Sequence, residues 1–184
     1  MLRKIVLTGF CAGAIVTSAQ AGDFYVKGIG GATMETKQSW GGSDYSMDTG
    51  YNLGGAIGYF VTPNISIEGE GLYTSSGYKS YTSELNSTSV LANVVYHFDR
   101  VGDVEFYIGA GLGAIDLQYK GYGRDWSEWV FGGQVLAGAS VPVNDNLSLF
   151  AEYRYQDAQD ATGDFGTDYG YDSHNLSVGF GYRF

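Results

Sequence analysis

Apolar and polar residues alternate along most of the chain with the period of two that is typical of β-strands. From Tyr51 to Val61, for example, most of the odd positions are large and apolar, whereas small or polar residues such as Asn52 and Gly54 lie between them. Eight such segments can be counted, so the sequence predicts an all-β fold. Their approximate bounds are 24–33, 51–61, 65–74, 88–98, 104–112, 129–141, 147–155 and 175–184.

The breaks between these segments alternate between short and long. The short breaks carry the proline, glycine, asparagine and aspartate residues that favour tight turns, and they lie at 62–64, 99–103 and 142–146. The long breaks are polar and lie at about 34–49, 75–86, 116–128 and 157–172. Short turns at one rim and long loops at the other are the layout of an outer-membrane barrel. The pattern therefore predicts an eight-stranded antiparallel up-and-down transmembrane β-barrel, with termini in the periplasm and four loops outside.

Alternation alone does not decide which face of the strands is the lumen, because a secreted barrel of the lipocalin type also alternates. The apolar face carries almost no charge, which suits lipid, and the opposite face is mainly glycine, serine and asparagine, which is too weakly charged for an ordinary soluble surface. Aromatic residues also concentrate near the strand ends on the apolar face, as in the girdles of membrane barrels. These features favour the membrane interpretation.

The N-terminal segment has the composition of a secretory signal peptide. Arg3 and Lys4 form a positive region, 5–16 an apolar region, and 19–21 a cleavage site with small residues at both ends. The apolar run is too short to span a bilayer as a helix. We therefore expect 1–21 to be removed.

The mature chain would then be one barrel domain, 22–184. The single cysteine, Cys11, lies in the segment that is removed, which excludes disulfides and thiolate chemistry from the domain. The precursor has a formal charge of −10, and removal of the two basic residues makes it −12. Such a charge argues against nucleic acid as a partner, because phosphates would be repelled.

The chain resembles the small eight-stranded outer-membrane barrels, the opacity-type porin family and the broader OmpA/OmpX-like group. The resemblance rests on Phe24–Gly28, on Glu68–Tyr73 after the first short turn, and on the closing Gly179–Phe184. It implies a Gram-negative outer membrane protein exposed at the cell surface, in contact with lipid and lipopolysaccharide, and monomeric. The terminal aromatic residues resemble the signal that the barrel assembly machinery reads; these are Phe180, Tyr182 and Phe184. Family members include adhesins, immune-evasion proteins and structural surface proteins, so function remains open.

Charged residues occur on the predicted lumen face, although the interior of an eight-stranded barrel is only wide enough to be filled by side chains. The inward set comprises Lys27, Glu68, Glu70, Glu152, Arg154 and Arg183. Five of them, all except Arg183, are expected at similar depth, where they should pair because an isolated buried charge is costly. Two interpretations follow. The residues form a structural ion-pair plug, or they line a narrow, porin-like channel for ions or small solutes.

The predicted loops offer aromatic and acidic residues for recognition. The candidate contact residues are Trp40, Tyr45, Tyr122 and Trp126. Exposed aromatics are good contact residues, but they also suit an upper aromatic girdle. The break at 157–172 contains five aspartates, which form either a solvated acidic loop or a weak site for divalent cations.

The sequence offers little for catalysis or for a metal site. Its two histidines are His97, beside a short turn, and His174, at the start of the last predicted strand. Ser173 is adjacent to His174 and so faces the opposite side of the strand, and Ser177 also has the wrong parity, which leaves no nucleophile beside this base. We therefore expect no enzyme activity, no metal site and no cofactor.

Overall fold

The structure, a computed structural model, describes residues 21–40, 43–46, 49–77, 84–121, 124–162 and 168–184. Within these ranges the regular structure consists of nine β-strands. They are β1 Phe24–Trp40, β2 Ser43–Ser46, β3 Gly50–Thr62, β4 Ile65–Gly77, β5 Glu84–His97, β6 Glu105–Gly121, β7 Arg124–Pro142, β8 Leu147–Thr162 and β9 Asp168–Arg183. In the described part of the chain, no helix has the length and apolar composition needed to cross a membrane.

Eight of the described strands form a closed antiparallel barrel. Strands β1 and β3 to β9 pair in chain order, and β9 pairs with β1 to close the sheet. The closing ladder runs from Tyr25 opposite Arg183 to Trp40 opposite Tyr169, with one irregularity after Thr33. The short β2 pairs only with the outer end of β1. The predicted eight-stranded antiparallel barrel is confirmed.

The short turns are stabilised by side chains that accept backbone hydrogen bonds. Thr62 Oγ1 accepts from the Ile65 amide at 3.0 Å. Asn144 Oδ1 accepts from the amides of Asn146 and Leu147 at 3.0 and 2.8 Å. Such local side-chain bonds to the backbone compete with continued strand pairing and allow the chain to reverse within a few residues. They therefore fix where the strands end at the periplasmic rim.

The strands continue far into the four predicted long breaks, which is a correction to the sequence analysis. Strands β6 and β7 remain paired up to Gly121 opposite Arg124, where a long polar loop was expected. Strands β8 and β9 remain paired up to Thr162 opposite Asp168. Outside the bilayer both faces of a hairpin meet water, so polar residues occupy both and the alternation that reveals a strand is lost.

Exposure separates the two faces of the barrel wall. Leu53, Ile57 and Val178 are each more than 60% exposed, whereas Glu152 and Arg154 are each 1% exposed. The apolar face therefore points outward to lipid, and the polar face fills the interior.

Large inward side chains fit this narrow interior because glycines face them. An added Cβ on Gly58 would lie 2.1 Å from Tyr25 Cζ, and one on Gly138 would lie 2.4 Å from Tyr107 Cζ. Such distances are impossible without displacement of the ring. These glycines thus make room for the two tyrosines that reach the charged residues of the lumen.

Candidate functional site in the barrel interior

Five charged side chains from β1, β4 and β8 meet in the middle of the lumen, and we call them the lumen cluster: Lys27, Glu68, Glu70, Glu152 and Arg154. Arg154 donates from Nη1 and Nη2 to the two carboxylate oxygens of Glu70, both at 2.8 Å, and from Nη2 to Glu152 at 2.5 Å. Lys27 Nζ donates to Glu152 at 3.1 Å and to Glu68 at 3.4 Å. The forked geometry of the Arg154–Glu70 pair is the strongest kind of ion pair.

Two tyrosines support the carboxylates from the periplasmic side of the cluster. Tyr25 donates its hydroxyl to Glu68 at 2.6 Å, and Tyr107 donates to Glu152 at 3.0 Å. The Lys27 ammonium also lies 5.1 Å from the centroid of the Tyr107 ring. The tyrosines thus stabilise both signs of charge in the interior of the barrel.

Amide side chains complete the cluster on its opposite side. Gln134 Nε2 donates to Glu70 at 3.0 Å and to Asn93 Oδ1 at 2.8 Å. Gln156 Nε2 donates to Gln134 at 3.0 Å and to the Ser89 hydroxyl at 3.2 Å. All of these residues are buried, so the network fills the cross-section with hydrogen-bonded side chains.

Two atoms of the lumen cluster lack hydrogen-bond partners among the described residues, Glu68 Oε2 and Arg154 Nε. Unpartnered buried polar atoms are rare in native proteins. Glu68 lines a cavity of about 80 Å³, which is large enough for several water molecules. The cavity mouth is lined by the periplasmic turn residues Arg100, Asn144 and Asp145. The lumen is therefore open to the periplasm as far as the lumen cluster.

Arg183, the sixth predicted lumen residue, lies near the periplasmic end and apart from the pairs of the lumen cluster. Its guanidinium carbon is 5.1 Å from the centroid of the Phe60 ring. Its Nε has no hydrogen-bond partner in the described part of the chain. The structure therefore brings five of the six predicted side chains together.

A second polar group, of which the sequence analysis named only His97, lines this cavity near the periplasmic rim. His97 Nδ1 lies 3.0 Å from Glu105 Oε1, and Arg100 Nε donates to Glu105 Oε2 at 3.3 Å. His97 Nε2 lies 3.0 Å from Ser66 Oγ. The position of His97 and Glu105 on the polar face of β5 and β6 could have indicated this group from the sequence.

Short polar side chains line the outer half of the lumen along β1, β3 and β9. Thr33 donates its hydroxyl to Asn175 Oδ1 at 2.7 Å, and Ser177 donates to Asn52 Oδ1 at 2.8 Å. The amide of Asn52 also donates to Asn175 at 3.4 Å. These hydrogen bonds bridge β1, β3 and β9 above the lumen cluster.

The predicted assembly signal lies on the outer face of the barrel. The terminal aromatics Phe180, Tyr182 and Phe184 point outward and are 51%, 42% and 72% exposed. The backbones of Trp40, Tyr45 and Trp126 lie in β1, β2 and β7, but their side chains are outside the described part, and Tyr122 is wholly outside it.

His174 has a tyrosine partner rather than a serine. Its Nδ1 lies 2.6 Å from the Tyr153 hydroxyl, and its Nε2 lies 4.0 Å from the Asp172 carboxylate. Within the described ranges there is no group of three or more histidine, cysteine, aspartate or glutamate residues able to hold a metal ion.

Comparison with known proteins places the barrel in a family. The family model for the outer membrane protein beta-barrel domain matches residues 5–184. The chain belongs to this family. Outer-membrane location follows from membership and from the apolar outer face, and the predicted relationship to small outer-membrane barrels is confirmed.

Several solved structures share the architecture. Neisserial surface protein A is 27% identical, with a TM-score of 0.66 over 88% of this chain and 97% of that one. Ail, the attachment invasion locus protein of Yersinia pestis, is 20% identical, with a TM-score of 0.54 over 90% of this chain and 100% of that one. The outer membrane protease OmpT of Escherichia coli, at 11% identity and a TM-score of 0.57 over 92% of this chain and 99% of that one, shares the fold alone.

An uncharacterized protein of Brucella abortus is 27% identical over 110 residues, which are 52% of this chain. The match spans 37% of that relative's own length. The family model and the solved barrels, by contrast, cover nearly the whole chain.

Proposed function

We propose that this protein is a surface-exposed interaction protein of the Gram-negative outer membrane, with recognition carried by the four extracellular hairpins. The observation that carries the proposal is the filled lumen. Ion pairs and amide side chains block the middle of the lumen. At the extracellular end, four strand pairs continue past the first residue of β3, and these are β1–β2, β4–β5, β6–β7 and β8–β9. A barrel that is closed inside and elaborated outside has its accessible chemistry at the cell surface.

The charge of the hairpins indicates the kind of partner. The ranges 34–49, 75–86, 116–128 and 157–172 contain twelve Asp and Glu residues and only four Lys and Arg residues. Such a surface attracts cationic partners and repels polyanions. Ail has been solved in complex with the heparin analogue sucrose octasulfate, but that likeness is one of fold, and a sulfated ligand does not suit this acidic surface.

The experiment is to shorten one hairpin at a time to a tight turn and to measure the binding of whole cells to basic and to acidic surfaces. Loss of binding to the basic surface, with the folded barrel at a normal level in the outer membrane, would support the proposal. Undiminished binding after all four hairpins are shortened would contradict it. Replacement of residues in the periplasmic turn at 143–146 is the matched control, because that turn does not reach the cell surface.

A small channel is the second candidate, and the periplasmic cavity favours it. Water can reach Lys27 and Glu68 from the periplasm, so only the lumen cluster and the outer half of the lumen separate the two sides. Discrete conductance steps from a folded barrel in a planar bilayer would favour this candidate.

We further propose that the protein is not an enzyme. The main support is the environment of His174, whose hydrogen-bond partner in the described structure is a phenol rather than a nucleophile activated by a base. Unchanged lipid A acylation in a deletion strain, measured by mass spectrometry, is expected.

The remaining partners are also proposals. We expect the barrel assembly machinery to read the terminal aromatics, lipopolysaccharide to contact the outer girdle, and the folded protein to be a monomer. Crosslinking during assembly and sedimentation of the purified barrel test the first and last of these.

A further inference from the structure

Beyond the closed barrel, the extracellular strands separate into two sheets. Pairing of β7 with β8 ends at Gly132 opposite Ala158. On one side β7 stays paired with β6 up to Arg124, and on the other β8 stays paired with β9 up to Thr162. A gap therefore lies between 124–131 and 159–162, and we call it the β7–β8 cleft.

The backbone of β7 presents free hydrogen-bonding groups to this cleft. At the base of β7, the Val143 amide donates to Leu147 on the β8 side. The two sides alternate along an antiparallel strand, and the ladders of β7 contain no bulge. The N–H and C=O groups of Asp125, Ser127, Trp129 and Phe131 therefore face the cleft, and the described structure gives them no ladder partner from β8.

The cleft lies above the apolar band of the membrane. Asp157 is exposed on the outward face of β8, just below the last pair of β7 and β8. Asp116 has the outward register on β6 opposite Trp129, where it is buried and accepts hydrogen bonds from the Ser127 hydroxyl and the Gln118 amide, both at 2.6 Å. An exposed carboxylate on the outward face, such as that of Asp157, marks the end of the hydrocarbon region. The free edge therefore meets water, as a strand with unpaired groups must.

Charge and exposure around the cleft define what can add to it. The β7 segment 124–131 has three charged residues with a net charge of −1, and the β8 segment 157–162 has a net charge of −2. Trp129 and Phe131 are 58% and 53% exposed at the lower end of the edge. An added strand would place alternate side chains beside these rings, and basic side chains elsewhere would compensate the acidic surroundings.

We propose that the β7 edge of the β7–β8 cleft binds an extended segment of a cationic polypeptide by β-strand addition. Backbone hydrogen bonds to the free groups of β7 provide affinity, and the acidic rim and the two exposed rings provide selectivity. An unpaired edge is a ready template for such pairing. This inference rests on the proposed surface-interaction function and deepens it. A second copy of the chain is a poorer occupant, because the same acidic edge would face itself.

The test uses the full barrel in micelles and a fluorescent octapeptide that alternates lysine with valine. The Ser127→Pro variant removes one cleft-facing N–H and keeps the ladder to β6, since proline is tolerated where the N–H points away from the sheet. We expect this variant to bind the peptide at least about tenfold more weakly than wild type. The matched control, Ser127→Ala, removes only the bond to Asp116 and should bind within about twofold of wild type.

Amide hydrogen exchange in the wild-type protein gives a second measurement that does not depend on a variant. The amides of Ser127, Trp129 and Phe131 should exchange faster than those of Glu128 and Val130, and the lysine–valine peptide should slow them. A peptide of equal charge with proline in place of valine cannot form the ladder and should not slow them.

Several results would overturn the inference: no binding of the lysine–valine peptide, equal binding by Ser127→Pro, or protection confined to other strands. Dimers formed through this edge without peptide would also overturn it. If hairpin shortening still abolishes the binding of cells to the basic surface, the proposed function stands while the β7 edge is excluded as its site.

Discussion

Arg154 joins two carboxylates of the lumen cluster. Its guanidinium bonds to Glu70 and Glu152, and its side chain is 1% exposed. Removal of one partner from a buried ion pair leaves the others as uncompensated charges, which costs more than the pair itself contributes. The consequence can be tested at this position.

We expect Arg154→Met to lower the free energy of unfolding by about 3–5 kcal/mol, because Glu70 and Glu152 then lose their shared cation. The measurement is denaturant unfolding of the refolded barrel in micelles. Arg183→Met is the control, because Arg183 lies outside the ion pairs of the lumen cluster. This substitution should lower the free energy of unfolding by less than Arg154→Met does. Adding Glu70→Gln to Arg154→Met should recover part of the loss. Equal losses for the two arginines would contradict the assignment.

Gly58 leaves the space that the Tyr25 ring occupies. A Cβ at this position would overlap the Tyr25 ring, and Tyr25 donates to Glu68. We expect Gly58→Ala to destabilise the barrel by about 1–3 kcal/mol, the usual range for overpacking. Gly69→Ala is the matched control, because no atom lies within 4 Å of its added Cβ. A Gly58→Ala barrel as stable as the control in the same unfolding assay would show that Tyr25 can move without cost.

At the scale of the strand, the sequence allowed the faces and the membrane-spanning parts to be predicted, but not the full lengths. Between Tyr51 and Val61 one face meets lipid and the other the lumen, so the alternation is strong. In 116–121 and 124–128 it fades, because both faces meet water or a neighbouring hairpin, and these strands were predicted as a loop. Strand length outside the bilayer depends on cross-strand pairing, which a single segment does not reveal.

For the lumen cluster, the sequence allowed the position of the charged residues to be predicted, but not which of them pair. Parity placed Lys27, Glu68 and Arg154 in the lumen, and distance from the turns placed them at similar depth. Which carboxylate pairs with which cation depends on the register that barrel closure imposes between β1 and β9. The supporting Tyr25 and Tyr107 were missed because aromatic residues on a mostly polar face resemble ordinary filling of the interior.

The C-terminal residue Phe184 follows β9 at the seam where β9 pairs with β1. Phe184 is 72% exposed, and its amide donates to Phe24 O at 3.0 Å at the closing seam. We expect deletion of Phe184 to lower the amount of folded protein in the outer membrane of cells and to have little effect on refolding in micelles, where no assembly machinery is present. Phe184→Tyr should assemble normally. A normal cellular level after the deletion would contradict a role as an assembly signal.

The whole molecule combines a barrel closed in its middle with a surface that is strongly acidic on the outside. The lumen cluster has three carboxylates and two cations. Arg183, near the periplasmic mouth, adds a third cation, so these six lumen side chains have no net charge. The excess negative charge of the chain therefore lies mainly in the hairpins. Balanced charges in the interior favour stability of the folded barrel. An excess of negative charge on the hairpins attracts cationic partners over a distance.

Conductance separates the two functions at this scale. We expect wild-type barrel in a planar bilayer, with folding verified by its heat-dependent gel shift, to give no discrete steps, because the Arg154–Glu70 and Arg154–Glu152 pairs and the amides of Gln134 and Gln156 occupy the cross-section. Replacing Glu70, Glu152 and Arg154 together with serine removes these pairs without leaving an unpaired arginine and should allow small conductance steps.

Conductance steps from the wild type would mean that the lumen cluster lines a water path, and the channel would replace surface interaction as the principal function. The absence of steps from both proteins would mean that the outer half of the lumen is also closed, which would strengthen the assignment of function to the hairpins.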